Sequence, residues 1–202
     1  MATSNAGLLT ARGLSLRLLP IDGGDDNDTI NGGDGSDTIY GHGGDDRIHG
    51  EGGDDWLAGN NNGDVIWGDR GVDTIHGGRG HDRIIGGLDN DVLKGGPGRD
   101  VFVYHTWQDA TTEGGEGHEE EILDLSNKDV VDLSRIDADI TADGAQAFTI
   151  VDELNGHAGQ LVLEFEAEED ETYLRADVDG DGEIDLQIEL EGEHRDFANI
   201  VL

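Results

Sequence analysis

The chain has 202 residues, 47 of them acidic and 12 basic, for a net charge of −35, and it contains no cysteine. Hydrophobic residues make up 34% and aromatic residues 5%, a poor supply for a conventional core. These numbers rule out disulfides and thiolate metal sites and disfavour nucleic acid and anionic membrane, both of which need basic patches. They leave hard cations, which prefer oxygen donors.

The N-terminus, "MATSNAGLLTARGLSLRLLPIDG", resembles a secretory leader only briefly. Arg17 interrupts its apolar stretch and no small-residue cleavage site follows, so no cleaved leader is expected. The Leu14-Leu16-Leu18 alternation predicts an edge strand or cap within residues 1–22. No run of 18 apolar residues occurs, so no membrane span is expected.

From Gly23 to Val103 the sequence divides into nine consecutive nonapeptides without insertion: GGDDNDTIN, GGDGSDTIY, GHGGDDRIH, GEGGDDWLA, GNNNGDVIW, GDRGVDTIH, GGRGHDRII, GGLDNDVLK and GGPGRDVFV. The first position is always Gly. The sixth is always Asp: Asp28, Asp37, Asp46, Asp55, Asp64, Asp73, Asp82, Asp91 and Asp100. The eighth is always apolar, from Ile30 to Phe102. The fourth holds only Gly, Asn or Asp, the residues that most readily adopt positive φ. Six residues of turn and three of strand are therefore expected, with the eighth side chain pointing inward and the seventh and ninth outward. Two units make a coil of 18 residues, and stacked coils bring like strands to about 4.8 Å. Stacking also sets the sixth-position carboxylates beside one another, where they repel unless a cation lies between them.

The pattern G-G-x-G-x-D-x-U-x is the calcium-binding signature of RTX proteins, and residues 23–103 resemble an RTX parallel β-roll. The resemblance implies that one turn donates the carbonyls of its second and fourth residues together with its Asp. The turn two units on donates the carbonyls of its first and third residues together with its Asp. Carried onto this chain, the first two implied sites are Gly24, Asp26 and Asp28 with Gly41, Gly43 and Asp46, then Gly33, Gly35 and Asp37 with Gly50, Gly52 and Asp55. The next two join His42, Gly44 and Asp46 to Gly59, Asn61 and Asp64, and Glu51, Gly53 and Asp55 to Gly68, Arg70 and Asp73. Asn60, Asn62 and Asp64 meet Gly77, Arg79 and Asp82, while Asp69, Gly71 and Asp73 meet Gly86, Leu88 and Asp91. Gly78, Gly80 and Asp82 with Gly95, Pro97 and Asp100 complete seven sites.

After Val103 the period is read as stopping. Residues 104–202 carry 29 acidic and 4 basic residues, a net −25. "GGPGRDVFVY", "DLSNKDVVDLSRIDADI", "QAFTIV" and "GQLVLEFE" resemble, in that order, the C-terminal domain of serralysin-type secreted metalloproteases. Leu161-Leu163-Phe165 and Ile184-Leu186-Ile188-Leu190 alternate as half-buried strands do. "DVDGDGEID" opens like an EF-hand loop with Asp177, Asp179 and Asp181, but its twelfth residue is Ile188 where the bidentate Glu belongs. A calcium site and a charged hairpin turn both remain open there. The final "RDFANIVL" resembles the tail of type I secretion substrates, with Asn199 where an Asp is usual.

The expected fold is all-β: a right-handed parallel β-roll of about four and a half coils over residues 23–103, continued into a C-terminal β-sandwich-like cap over 104–202. No catalytic motif is found. His118-Glu119 lacks the second His of H-E-x-x-H, and no G-x-S-x-G occurs. The function expected from the resemblance is a calcium-binding module of a secreted, type I-exported protein, serving its secretion and stability. It would stand alone or be fused to an upstream enzyme domain. The alternative is a polysaccharide-binding or adhesion module using the outer face of the roll around Trp67. The apolar outward residues Val65, Trp67, Ile85, Val101 and Val103 also suit docking of the C-terminal or N-terminal strands. A ligand at tenfold its Kd stabilises by about 1.4 kcal/mol per site, so seven sites would supply roughly 10 kcal/mol, the stability of an ordinary domain.

Overall fold

The computed structural model describes residues 19–110, 120–194 and 197–202, and the backbone of 8–10. Its strands are β1 Leu8–Thr10, β2 Ile21–Gly24, β3 Thr29–Asp34, β4 Thr38–Gly43, β5 Arg47–Gly52, β6 Trp56–Asn61, β7 Val65–Arg70, β8 Thr74–Arg79, β9 Arg83–Leu88, β10 Val92–Lys94 and β11 Val101–Val103. A 3₁₀ turn, Trp107–Ala110, follows. The remainder comprises β12 Glu120–Ile122, β13 Val130–Asp132, β14 Thr149–Ile150, β15 Gln160–Glu166, β16 Glu171–Asp177, β17 Leu186–Glu191 and β18 Ile200–Val201.

Alternate strands collect into two sheets. One runs β1-β3-β5-β7-β9-β11-β13-β18, and the other runs β14-β15-β16-β17-β12-β10-β8-β6-β4-β2. Repeat strands pair in parallel at an offset of 18 residues, so Ile30 faces Ile48, Ile48 faces Ile66, and Ile66 faces Ile84. The other sheet aligns Ile39, Leu57, Ile75 and Leu93 in the same way. Every eighth-position side chain is buried, and these two ladders are the interior of the roll. One apolar residue per nine is enough because two facing ladders supply each other's cover.

Two expectations are corrected. The repeat strands β3 to β9 have six residues, not three, because the first three positions of the next unit continue the parallel ladder. The chain can stay extended across the glycine because backbone bending is concentrated at positions two and four. The period also does not end at Val103. Val101 to Val103 pair with Val130 to Asp132, and Val92 and Leu93 pair with Glu121 and Ile122, at an offset of 29 residues. Eleven residues are inserted and the coil register then resumes.

The last strands extend both sheets edge to edge. β17 joins β12 in parallel and carries the antiparallel strands β16 and β15 beyond it. Leu161, Leu174, Leu186, Ile188 and Leu190 extend the core there. In the other sheet β18 lies parallel to β13, with Ile200 opposite Val131. At the opposite end β1 pairs with β3, an edge strand within the N-terminal segment. Leu14, Leu16 and Leu18 lie outside the described residues. The 3₁₀ turn packs against β9 and β17, and Ile85 and Val103 are buried.

Candidate functional site

The turns are built on aspartate. The amide of Asp28 donates to Asp46 Oδ1 (2.8 Å), that of Asp46 to Asp64 (2.8 Å), Asp64 to Asp82 (2.8 Å) and Asp82 to Asp100 (2.9 Å). Along the other side Asp37 donates to Asp55 (2.7 Å), Asp55 to Asp73 (2.8 Å) and Asp73 to Asp91 (2.8 Å). All nine aspartates are buried. Each carboxylate on a lower coil is thus oriented by the amide of the coil above, which consumes one of its oxygens.

The second oxygen has no such partner. Oδ2 of Asp46, Asp55, Asp64, Asp73, Asp82, Asp91 and Asp100 is buried and accepts no hydrogen bond within the described residues. An unpaired buried polar atom costs about 1–3 kcal/mol, and more when charged. Burial accordingly pushes the carboxyls of Asp55, Asp82 and Asp100 up to about 6 and those of Asp64 and Asp73 up to about 7, against the lowering by the amides they accept. Asp37 and Asp46 shift upward for the same reason.

The first-position glycines explain where these oxygens point. A Cβ at Gly77 would lie 2.6 Å from Asp82 Oδ2 and 2.8 Å from the Gly95 carbonyl oxygen. At Gly59 it would press on Asp64 Oδ2 and lie 2.7 Å from the Gly77 carbonyl; Gly41 likewise faces Asp46 Oδ2 and the Gly59 carbonyl. Each glycine keeps open a small cradle between its own unit's carboxylate and the first-position carbonyl two units on. Those are two donors that the RTX resemblance assigns to one ion. A cradle of buried carboxylate and carbonyl oxygens fits a hard cation such as calcium.

The turn backbone carries a feature that the sequence reading did not assign. Positive φ was expected at the fourth position, and Gly35, Gly44, Gly53, Asn62, Gly71, Gly80 and Asp89 have it, whereas Asp26 and Gly98 do not. All nine second positions have it as well, including His42 (77°), Glu51 (75°), Asn60 (79°) and Asp69 (77°). Third-position carbonyls are already engaged in part. Those of Gly52, Arg70, Leu88 and Pro97 accept the amides of Gly35, Gly53, Gly71 and Gly80 at 2.5 to 3.3 Å. Each carbonyl oxygen has two lone pairs, so one remains.

Three further acidic residues end the ladders. Glu120 Oε2 accepts the Asp91 amide (2.8 Å), and its Oε1 accepts the Tyr104 hydroxyl (2.8 Å). Asp129 accepts the amides of Asp100 and Ser126, both at 2.8 Å. Asp124 accepts those of Gly95 (2.8 Å) and Gly96 (2.9 Å). Burial raises both Asp91 and Glu120; the Glu120 charge adds to the rise of Asp91, and those of Asp109 and Asp73 add to that of Glu120. The clue lay in the sequence. Glu120-x-Ile122 and Asp129-x-Val131 repeat D-x-U nine residues apart, hidden by the insertion and by Glu standing for Asp.

In the 177–185 turn, oxygens of Asp177, Asp179 and Asp185 come within 4.8 Å of one another. Asp181 instead accepts the Glu183 amide (2.8 Å). Both oxygens of Asp177 are satisfied by the amides of Gly180 and Gly182. On the outer face, the His49 ring stacks on Trp67 with centroids 4.2 Å apart and planes 3° apart. One ring face of Trp67 is therefore taken. Trp56, edge-on to His76 at 4.6 Å, is the more exposed indole.

Two parallel sheets closed by stacked, aspartate-lined turns define a parallel β-roll. The chain matches the model of the Peptidase M10 serralysin C-terminal family over residues 27–202, and it belongs to that family. That family describes the C-terminal, non-catalytic part of secreted peptidases. No curated protein matches the chain in sequence. Among solved structures, the AlgE6R2 subunit of the Azotobacter vinelandii mannuronan C5-epimerase is 23% identical, covers 93% of this chain and 95% of its own, and gives a TM-score of 0.47. The AlgE6R3 subunit of that enzyme is 26% identical over 94% of this chain and 86% of its own, with a TM-score of 0.32. The extracellular lipase LipA of Serratia marcescens is 15% identical over 99% of this chain but 43% of its own, with a TM-score of 0.33.

Proposed function

We propose that the roll is a calcium-folded module of an exported protein, with residues Gly24 to Asp100 holding about seven ions between successive turns. The observation that carries this reading is the set of buried aspartate Oδ2 atoms without a hydrogen-bond partner, of which those of Asp46, Asp55, Asp64, Asp73 and Asp82 each lie beside a glycine whose Cβ would also meet the first-position carbonyl two units on. Calcium would supply the positive charge those oxygens lack. The chain's own residues do the rest: amides fix each carboxylate, the glycines keep the cradle open, and positive φ at positions two and four turns the backbone carbonyls.

At calcium far below Kd the binding free energy vanishes, and at tenfold above it is about 1.4 kcal/mol per site. Extracellular calcium modules work near 10⁻⁴–10⁻³ M. The roll is then unfolded where calcium is scarce and folded where it is millimolar, which suits passage through a type I secretion channel. The family's secreted context supports that export route. Outside, the folded roll stabilises whatever it is attached to, or itself. Circular dichroism through a calcium titration from excess chelator tests the reading. A cooperative gain of strand signal is expected, and a full strand signal already present in chelator would sink it.

A further inference from the structure

The fifth position of the odd-numbered units forms a column on the outside of the turns, and its chemistry changes along the roll. It holds Asn27, Asp45, Gly63, His81 and Arg99, and Lys128 follows in the resumed register. The Asp45 amide donates to Asn27 Oδ1 (2.9 Å), the Gly63 amide to Asp45 Oδ1 (3.2 Å) and the Arg99 amide to His81 Nδ1 (3.0 Å). His81 Nδ1 is thus an acceptor, which leaves its proton on Nε2.

The turn that carries Lys128 is tight. The Ser126 amide donates to Asp129 Oδ2 and the Asp129 amide to the Ser126 carbonyl (3.1 Å), and no residue from 124 to 132 has positive φ. It does not reproduce the wide turn of the repeats, so it leaves Pro97 to Arg99 uncovered. A cavity of about 670 Å³ results, lined by His81, Pro97, Gly98, Arg99, Asn127, Lys128, Val130 and Asn199. Asn199 belongs to the final segment and is held there by its Nδ2 donating to the Asn127 carbonyl (2.8 Å).

In a chain with 47 acidic residues, no carboxylate lines this cavity. Arg99 and Lys128 have no ion-pair partner among the described residues. Asp129, next to Lys128 in sequence, spends both oxygens on amides. The lining combines two free cations, two carboxamides, a ring N–H, and the apolar surfaces of Pro97 and Val130. A carboxylate needs the cations, hydroxyls need the amides and the ring N–H, and a sugar's C–H face needs apolar contact.

We propose that this cleft binds a uronic acid unit, with Arg99 and Lys128 holding its carboxylate and Asn127, Asn199 and His81 meeting its hydroxyls. The cleft adjoins the last cation cradle through Pro97, so it is tested on the full chain folded in calcium, with circular dichroism confirming the fold first. A chain that never folds in calcium defeats the earlier reading; a chain that folds and does not bind defeats this one. Glucuronate is titrated by calorimetry or NMR alongside its methyl ester, acetate and sulfate. Saturable binding in the millimolar range, about −4 kcal/mol, is expected for glucuronate. The ester, which keeps the sugar and loses the charge, and the double variant Arg99→Gln/Lys128→Gln should each bind at least about tenfold more weakly. Arg47→Gln/Lys94→Gln, which removes two cations elsewhere, should leave binding unchanged. Ester binding as tight as the acid, unchanged binding by the double variant, or acetate or sulfate matching glucuronate would each overturn the proposal.

Discussion

The repeats of residues 23–103 and the strands beyond residue 159 are both acidic, yet they treat their carboxylates in opposite ways. In the repeats each sixth-position Asp is buried, and eight of the nine leave an oxygen without a hydrogen-bond partner. Among the described residues beyond 159, the acids are met or at least partly exposed. Arg175 pairs with Glu164 (2.9 Å) and Glu166 (2.8 Å) and lies 4.2 Å over the Tyr173 ring, whose hydroxyl has its one proton within reach of both Glu169 and Glu171. Both oxygens of Asp177 accept amides. The two regions carry similar charge, −13 over residues 160–202 against −11 over the repeats, yet only the first satisfies its own polar atoms. On the proposed reading, burial without a partner, not the count of charges, ties a region to a cation.

The sharpest way to break this contrast is to remove one ladder carboxylate. Asp73→Ala strips two implied sites at once, because Asp73 faces Asp55 on one side and Asp91 on the other. With calcium tenfold over Kd the loss is about 3 kcal/mol, read as a higher calcium midpoint in the folding titration. Asp179→Ala in the C-terminal turn should move that midpoint little.

A cradle can also be filled rather than stripped. Gly59→Ala would place a methyl group against Asp64 Oδ2 and 2.7 Å from the Gly77 carbonyl, and overpacking of this kind costs about 1–3 kcal/mol. Gly144→Ala has nothing nearer than 3.7 Å but sits at φ +93°, so its cost is that of the backbone alone, about 1 kcal/mol. Thermal denaturation in calcium should rank them in that order, with the Gly59 variant also needing more calcium.

Acid should act on the two regions differently. The ladder carboxyls are raised from 3.8 to about 6 or 7. Between pH about 4 and about 7 the folded, calcium-free roll therefore holds more protons than the unfolded chain, and its stability falls as pH rises through that window. In chelator, lowering pH from 8 to 5 should favour the roll. In calcium the sign reverses, since protons compete for the same oxygens. Circular dichroism at both calcium levels checks the reversal; parallel pH curves would contradict it.

The smallest effect belongs to the turn backbone. Glu51 holds φ 75° at a second position, a conformation that costs an L-residue about 1–2 kcal/mol. Glycine pays for its freedom with about 0.5–1 kcal/mol of entropy, so Glu51→Gly should stabilise the folded roll by up to about 1 kcal/mol in a denaturant titration.

How much was legible in the sequence follows from which positions have a chemical signature. The inward Ile39 and Ile48, the stacked aspartates and the fourth-position Gly, Asn or Asp recur every nine residues and match their places in the roll, except that Asp26 and Gly98 lack the positive φ. The second position was not legible because His42, Glu51, Asn60 and Asp69 share no chemistry; the backbone bends there despite the side chain. Strand length was underread because Gly at position one looks like turn, although it serves to leave room rather than to bend. The resumed register at Glu120 and Asp129 was masked by eleven inserted residues and by Asp124 standing where the repeats place Gly. In the 177–185 turn, spacing alone selected Asp181, whereas the hairpin brings Asp185 beside Asp177 and Asp179.

The most direct test of the account is amide hydrogen exchange measured with calcium and with chelator, resolved to β3–β11 and to β15–β17. The account predicts that chelation strips protection from the repeat strands first and most, because their interior oxygens lose the charge that permits burial. Repeat strands as well protected in chelator as in calcium would show that the buried aspartates need no ion, and would contradict it.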